Sequence, residues 1–355
     1  MNRQKLSVSV IEGDSESCGF AYGRLFEPQI LGFIAQEIKP AAELMGYARR
    51  CWSWVQRQAP RSAQVMRGIA RGASLSIEQV VLLTLHEELV HLRAAQADGH
   101  CTGYVLSGSG TRDGRTLVGQ NWDWSAALYP WAGLLRWRER QAPASVLYHY
   151  PGLWSCAGVN DAGLALMWTG SGYLPAVAPR VGVPTYVLIA ELLRCRTVEQ
   201  ALDRLGQLRQ AGCFIFMLGD AAGRTAVVEG LNGRMAVQRD AAVCSRGNHY
   251  QDPGITRGAK QAIPTRPGVT TGYRTARMAQ LVAKQTGRCT VRSARQMLLD
   301  RDGPGPWIHQ FPADAARPPS PAMTIDSMLA VCQDRALWTC RGGREPGPWQ
   351  KLVAQ

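Results

Sequence analysis

HCTGYVLSGSGTRDGRTLVGQNWDW, residues His100 to Trp124, decides how the rest of the chain is read. Residues 101–107 and 115–122 are two short strand-compatible runs, and between them lie Gly108, Ser109, Gly110 and an Asp113-Gly114 pair. That arrangement predicts a β-hairpin. With its turn near Thr111 to Asp113, the second strand returns beside the start of the first and brings Asp123 within a residue or two of Cys101. Directly opposite residues have Cβ atoms about 4.5–5.5 Å apart, so a thiol and a carboxylate distant in sequence can share one site.

A thiol at the start of a buried strand, just after a polar connection, suggests a second step. Attack by Cys101 on the carbonyl of His100, acyl transfer to sulfur and hydrolysis would leave a new chain beginning at Cys101. Its free α-amine, with an ordinary pKa of about 7.7–8.0, could then serve as base to its own thiol. No separate histidine is needed for such a nucleophile.

Cys101-Thr102, followed downstream by Gly119-Gln120-Asn121-Trp122-Asp123-Trp124, resembles the acyl-coenzyme A:6-aminopenicillanate (isopenicillin N) acyltransferase-like family. These are cysteine N-terminal-nucleophile hydrolases. The resemblance implies an α+β fold, an αββα four-layer sandwich with two antiparallel sheets between helix layers. It also implies self-cleavage before the cysteine, into a small piece 1–100 that packs on the core and a large piece 101–355 that stays bound to it. The family's aspartate falls on Asp123, and its oxyanion-binding asparagine on Asn248 in Arg246-Gly247-Asn248-His249-Tyr250. A Ser-x-x-Arg-like element falls on Gly272-Tyr273-Arg274, which makes Arg274 a support or substrate residue. Gln120, Asn121 and Trp122 are candidates for the same roles. His100 stands where the fungal enzymes have glycine, and Gln120 where the bile-salt hydrolase branch has arginine, which argues against that branch.

The remaining histidines offer a rival. His249 beside Asn248 is the better partner for a Cys/His dyad. His86 and His91 do not form a His-Glu-x-x-His motif and read as helix surface or packing. Gly108-Ser109-Gly110 is a turn, since no helix follows to receive a phosphate. Trp122 and Trp124 suit either core packing or an apolar acyl wall.

Composition sets the outer bounds. At 355 residues and 46% apolar, the chain has length for a large core. The start MNRQKLSVSVIEGDSE lacks the apolar centre of a signal peptide, and no long apolar run suggests a membrane helix. A cytoplasmic protein is expected. Ten cysteines are scattered without a Cys-x-x-Cys pair, which suits reduced thiols and offers no metal site. The net charge of +13 is concentrated late: residues 1–100 carry 11 Lys/Arg against 10 Asp/Glu, and residues 246–355 carry 16 against 7. Solvated basic surface is favoured over nucleic acid binding. No cofactor is expected; acyl-coenzyme A enters only as a substrate, and a homo-oligomer is left open.

Along the chain, a strand is predicted at 6–12, with a cap at Gly13-Asp14-Ser15, and helices at 17–37, 40–58, 60–72 and 76–95. Strands follow at 132–138, 145–150, 153–158 and 164–168, then a loop at 169–183 as a candidate pocket edge. Helices near 184–194 and 197–210 precede strands at 213–218, 225–229 and 234–238. Helices at 272–286 and 291–300 and a strand pair at 322–332 and 335–341 close the pattern. The order suits two antiparallel sheets packed face to face and covered by helix layers. The resemblance, with Cys101, implies a self-processing cysteine amidohydrolase or acyltransferase acting on a small N-acyl amine, peptide or acyl thioester. An uncleaved basic binding protein of the same fold, and a Cys/His hydrolase that never cleaves itself, are the alternatives.

Overall fold

A computed structural model describes residues 5–92, 101–171, 180–257, 270–302, 307–311 and 322–355. Strand β1 (Val8–Gly13) is followed by helices α1 (Ser15–Phe33), α2 (Ala42–Gln58), α3 (Pro60–Gly72), α4 (Ile77–Thr84) and α5 (His86–Leu92). The hairpin comprises β2 (Thr102–Gly108) and β3 (Gly114–Ser125), and β4 (Gly133–Glu139), β5 (Ser145–Tyr150), β6 (Leu153–Asn160) and β7 (Ala165–Thr169) come next. Helices α6 (Thr185–Leu193) and α7 (Val198–Gln207) lead to β8 (Cys213–Gly219), β9 (Thr225–Leu231), β10 (Arg234–Arg239) and β11 (Val243–Arg246). The last elements are α8 (Pro253–Thr256), α9 (Thr271–Gln285), α10 (Val291–Leu298), β12 (Ala322–Val331), β13 (Ala336–Arg341) and β14 (Gln350–Val353).

Among the described residues the strands form two sheets. One runs β1-β4-β5-β6-β7-β8-β9-β10 and the other β11-β2-β3-β12-β13-β14. The two antiparallel sheets are as expected, with one parallel pair, β1 with β4, at the edge of the larger one. The helices α1–α5 and the hairpin intervene between β1 and β4, and so long a crossover permits a parallel pair where a tight turn would not.

The strands are buried on both faces. Along β2, Tyr104 and Leu106 pack outward with Met278, Val282, Met297 and Leu298 of α9 and α10. Val105 belongs to the core between the sheets, and Gly103 lies against Met217 of β8, where a Cβ would clash with the methionine's end. This is the period-two alternation of a strand with a core on each side. The other sheet is covered by α6, α7 and the first helices, so the layers run helix, sheet, sheet, helix.

Residues of the first five helices share one apolar core with the large sheet, including Tyr22, Phe33, Val55, Met66, Ile69 and Leu83 with Trp137, Tyr148 and Leu188. At about 1.5–3 kcal/mol for each fully buried large apolar side chain, this shared core ties the first five helices firmly to the large sheet.

The expected helix 76–95 is broken: α4 ends at Thr84 and α5 starts at His86. Thr84 Oγ1 donates to Val81 O at 2.8 Å, a back-bond that bends helices. Helix α1 gives way to a wider π turn over Ile34–Ile38, stopped by Lys39 at φ 47° and by Pro40. The connector 97–99, most of the 169–183 loop and the proline-rich stretch 303–321 lie largely outside the described residues. No described helix is long and apolar enough to cross a membrane.

Candidate active site

The hairpin register pairs Thr102 with Asn121, Gly103 with Gln120 and Val105 with Val118. Gly108 and Gly114 close the turn at φ 51° and 73°, the left-handed region that glycine occupies without strain. One step before Thr102, Cys101 lies beside the far end of β3, and its Sγ–H points to Asp123 O at 3.7 Å. Cys101 is 6% exposed and Asp123 1%, so in the whole chain the thiol is enclosed.

Neither Asp123 carboxylate oxygen has a hydrogen bond of good geometry among the described residues, although the Thr324 side chain on β12 lies close enough to favour its ionised form. Burial pushes this carboxyl up to about 7 against the pull of Arg274. Burial, and then the Asp123 charge, push the Cys101 thiol up to about 12. An uncleaved Cys101 is therefore a thiol at neutral pH and a poor nucleophile until a base is added.

Arg274, on α9 and fully buried, ties the parts together. Its Nη1 donates to Cys101 O at 2.7 Å and to Thr102 Oγ1, its Nη2 to Asn248 Oδ1 at 2.9 Å, and its Nε to Thr270 Oγ1 at 2.8 Å. A guanidinium only donates, so the Asn248 atom facing it must be the oxygen, and the amide nitrogen is turned the other way. That Nδ2 donates to Gly170 O at 2.9 Å, and the Asn248 N–H donates to Thr271 Oγ1 at 2.8 Å. One Nδ2 hydrogen is left for another acceptor. If that hydrogen serves an oxyanion, cutting Asn248 to alanine should lower kcat about 10²–10³-fold with little change in KM, as steady-state kinetics would show.

The structure separates the other candidates. Asn121 donates to Leu298 O and Ile308 O at 2.8 and 2.9 Å, which is structural tethering. Gln120 Oε1 accepts from Trp168 N at 2.9 Å across the sandwich. Trp122 packs on Tyr148, Tyr150 and Trp168. His249 Nδ1 lies 3.0 Å from Thr271 Oγ1 and bonds there rather than to Cys101; burial and the nearby Arg274 and Arg246 push its pKa down. His86 is buried, ringed by Phe33 and Trp124. His100 and the side chain of His91 lie outside the described residues. No three described His, Cys, Asp or Glu side chains converge on a metal position.

Two groups at the site were not singled out from sequence. Thr324 pairs with Asp123 in β12, and Gly170 supplies the carbonyl that orients Asn248. A side chain at 170 would run into the Glu87 carboxylate of α5. No local pattern marks these residues, because each acquires its role from a partner far along the chain. A separate cavity of about 490 Å³ opens behind the Asn248 loop, between β9, β10, β11 and α9. Its charged lining is satisfied internally by the 2.8 Å Arg246–Glu229 pair.

Beside Glu87, the fully buried Glu88 accepts from Thr185 N and Oγ1 at 2.9 and 2.7 Å and so caps α6. Burial raises Glu88 from 4.5 to about 7. Between those values the folded chain keeps a proton that the unfolded chain has lost, so this group's contribution to stability falls as pH rises through the interval. Glu88→Gln keeps the acceptor for Thr185 and cannot ionise. It should match the parent near pH 4.5 and melt a few degrees higher above pH 7, measured by thermal unfolding at both pH values.

Comparison with known proteins follows the same lines. The family model described as acyl-coenzyme A:6-aminopenicillanic acid acyl-transferase matches residues 110–345, starting downstream of Cys101. A curated relative, the 40 kDa form of acyl-coenzyme A:6-aminopenicillanic-acid-acyltransferase of Emericella nidulans, is 25% identical over 184 residues, 52% of this chain and 50% of the relative. The chain thus spans about half the length of that relative. A variant of the conjugated bile acid hydrolase of Clostridium perfringens has a similar fold, with TM-score 0.51 and 13% identity over 71% of this chain and 92% of that one. Penicillin V acylase of Agrobacterium tumefaciens gives a TM-score of 0.45 at 14% identity, covering 71% of this chain and 90% of that one. With the family model covering well over half of its residues, this chain belongs to the acyl-coenzyme A:6-aminopenicillanic acid acyl-transferase family.

Proposed function

We propose that the chain is a self-processing cysteine amidohydrolase or acyltransferase that works through an acyl-enzyme on Cys101. The observation that carries this reading is the single buried guanidinium of Arg274, which holds the Cys101 carbonyl and the Asn248 amide oxygen at once. It ties the backbone of the nucleophile and the side chain of a neutral amide donor to one group, which supports acyl transfer.

In the processing step, Cys101 Sγ attacks the carbonyl carbon of His100. The C–N bond breaks, the departing nitrogen takes a proton and becomes the α-amine of Cys101, and a thioester is left on sulfur. Water then releases the carboxylate of His100 and regenerates the thiol. The new amine can accept the thiol proton, which relieves the poor nucleophilicity of the buried thiol. The large shared core keeps the pieces 1–100 and 101–355 together.

In turnover, the thiolate adds to an amide or thioester carbonyl, Asn248 Nδ2 donates to the oxyanion, and the amine or thiol leaves with the proton. Water completes hydrolysis; a bound amine completes transfer. Amide hydrolysis of a small N-acyl amine or peptide is the favoured outcome, with acyl-coenzyme A as an alternative acyl donor. Aromatic walls at Trp122, Tyr150 and Trp168 suit an acyl group with apolar surface.

Intact mass and N-terminal sequencing of purified protein test the reading. Two associated pieces, the larger starting at Cys101 and gaining one acyl mass with an activated ester, are expected. One whole chain with an unreactive Cys101 would end it.

A further inference from the structure

Three buried polar atoms on the inner face of β3 and β12 have no hydrogen-bond partner among the described residues: Gln120 Nε2, Trp122 Nε1 and Asp326 Oδ1. Gln120 and Asp326 are fully buried and Trp122 is 3% exposed. Buried polar atoms are nearly always satisfied, so neighbouring orphans mark a place where another molecule supplies the partner.

The strand register lines these atoms up with the nucleophile. Thr102 pairs with Asn121, so the step before it sets Cys101 beside Trp122; Trp122 pairs with Asp326, and Asp326 with Arg341. Adjacent strands are about 4.8 Å apart, which puts Asp326 about 10 Å from the Cys101 strand. The opposite wall comes from the other sheet, with Tyr148, Tyr150 and Trp168 at ring-centroid distances of 5.4, 5.9 and 5.8 Å from Trp122. Asp326 Oδ2 accepts from Tyr148 Oη at 2.7 Å and from Arg341 Nη1 at 3.1 Å, while Oδ1 is left over.

On the reading of Cys101 as the acyl-forming nucleophile, we propose that this row is the acyl-recognition subsite and takes a neutral acyl group with a hydroxyl or amide toward its far end. The group would donate to Asp326 Oδ1 and accept from Trp122 Nε1 and Gln120 Nε2. A plain aliphatic chain leaves all three unpaired. A cationic chain fits no better. Arg341 already balances the Asp326 charge at 3.1 Å, so an added ammonium would be a buried charge without a counter-ion.

The test compares hexanoyl p-nitroanilide with its ω-hydroxy, ω-amide and ω-ammonium counterparts on the processed protein, above pH 8, where Asp326, raised by burial to about 7, is ionised. The hydroxy or amide form should exceed the plain one by about 100-fold in kcat/KM, a modest share of what a site built to bond a substrate hydroxyl can reach, and the ammonium form should be the worst. Trp122→Phe keeps the ring packing and removes the donor; it should cut the ratio about tenfold, mostly by slowing the substituted substrate. Asp326→Asn should do the same by a second route. A plain chain that reacts as fast as the hydroxy one, or a ratio unmoved by Trp122→Phe, overturns the subsite. Mass spectrometry separates the two levels: an acyl adduct on Cys101 without discrimination sinks the subsite alone, whereas no adduct from any of the four sinks both readings.

Discussion

Cys101→Ala should leave the chain whole and lower turnover by at least about 10⁴-fold, in line with removal of other covalent nucleophiles. The variant should still fold. The Cys101 thiol makes one long contact, 3.7 Å to Asp123 O, and Arg274 holds the backbone carbonyl of residue 101, which alanine also has. Its melting temperature should therefore stay within a few degrees of a parent blocked from cleavage. A single full-length band, an unchanged circular dichroism spectrum and no acyl adduct are the expected results. A Cys101→Ala protein that still splits at 100/101 would place the nucleophile elsewhere.

Arg274 carries the second large effect. Replacement by methionine removes the only donor described for Asn248 Oδ1, leaves the Cys101 carbonyl and Thr102 Oγ1 without their guanidinium, and takes the positive charge away from Asp123. Breaking a buried charged network in this way typically costs about 3–5 kcal/mol, read here as a lower denaturant midpoint. With Asn248 free to turn, kcat should fall by about 10²–10³-fold.

The pH profile distinguishes position from charge. Arg274 lowers an Asp123 carboxyl that burial has raised to about 7. If the ionised carboxylate supports the reaction, activity rises as pH passes through that value. Arg274→Met should move this rise to higher pH. Arg274→Lys keeps the charge, so the rise should stay near the parent's. It cannot make the forked contacts and should still lose most of kcat. Equal profiles for Met and Lys would assign Arg274 to folding alone.

Much of this arrangement is legible along the chain. The alternation of 101–107 and 115–122 with glycines between them gives the hairpin, and the hairpin alone returns Asp123 to Cys101. Residue periodicity marks most of the longer elements, and Asp14 caps the first helix as expected. What escaped was decided by partners. The four-residue strand β11 has little pattern of its own and is a strand because Val243–Arg246 pairs with Gly103–Leu106. The break at Leu85 depends on a hydroxyl back-bond that apolar periodicity does not register. Asp326 reads as an ordinary strand residue, yet it is fully buried beside Arg341 and Tyr148.

The sequence by itself determined the local elements, the hairpin and the meeting of the Cys101 and Asp123 ends of its two strands, because turn geometry and side-chain periodicity act over a few residues. Only the tertiary structure decided that Arg274 bridges Cys101 and Asn248, that His249 turns to Thr271 instead, and that the first strand lies parallel to β4. Those outcomes depend on hydrogen-bonding groups from 22 to 173 residues apart competing for the same buried space. That competition is settled by packing and desolvation in three dimensions, to which no window of sequence has access.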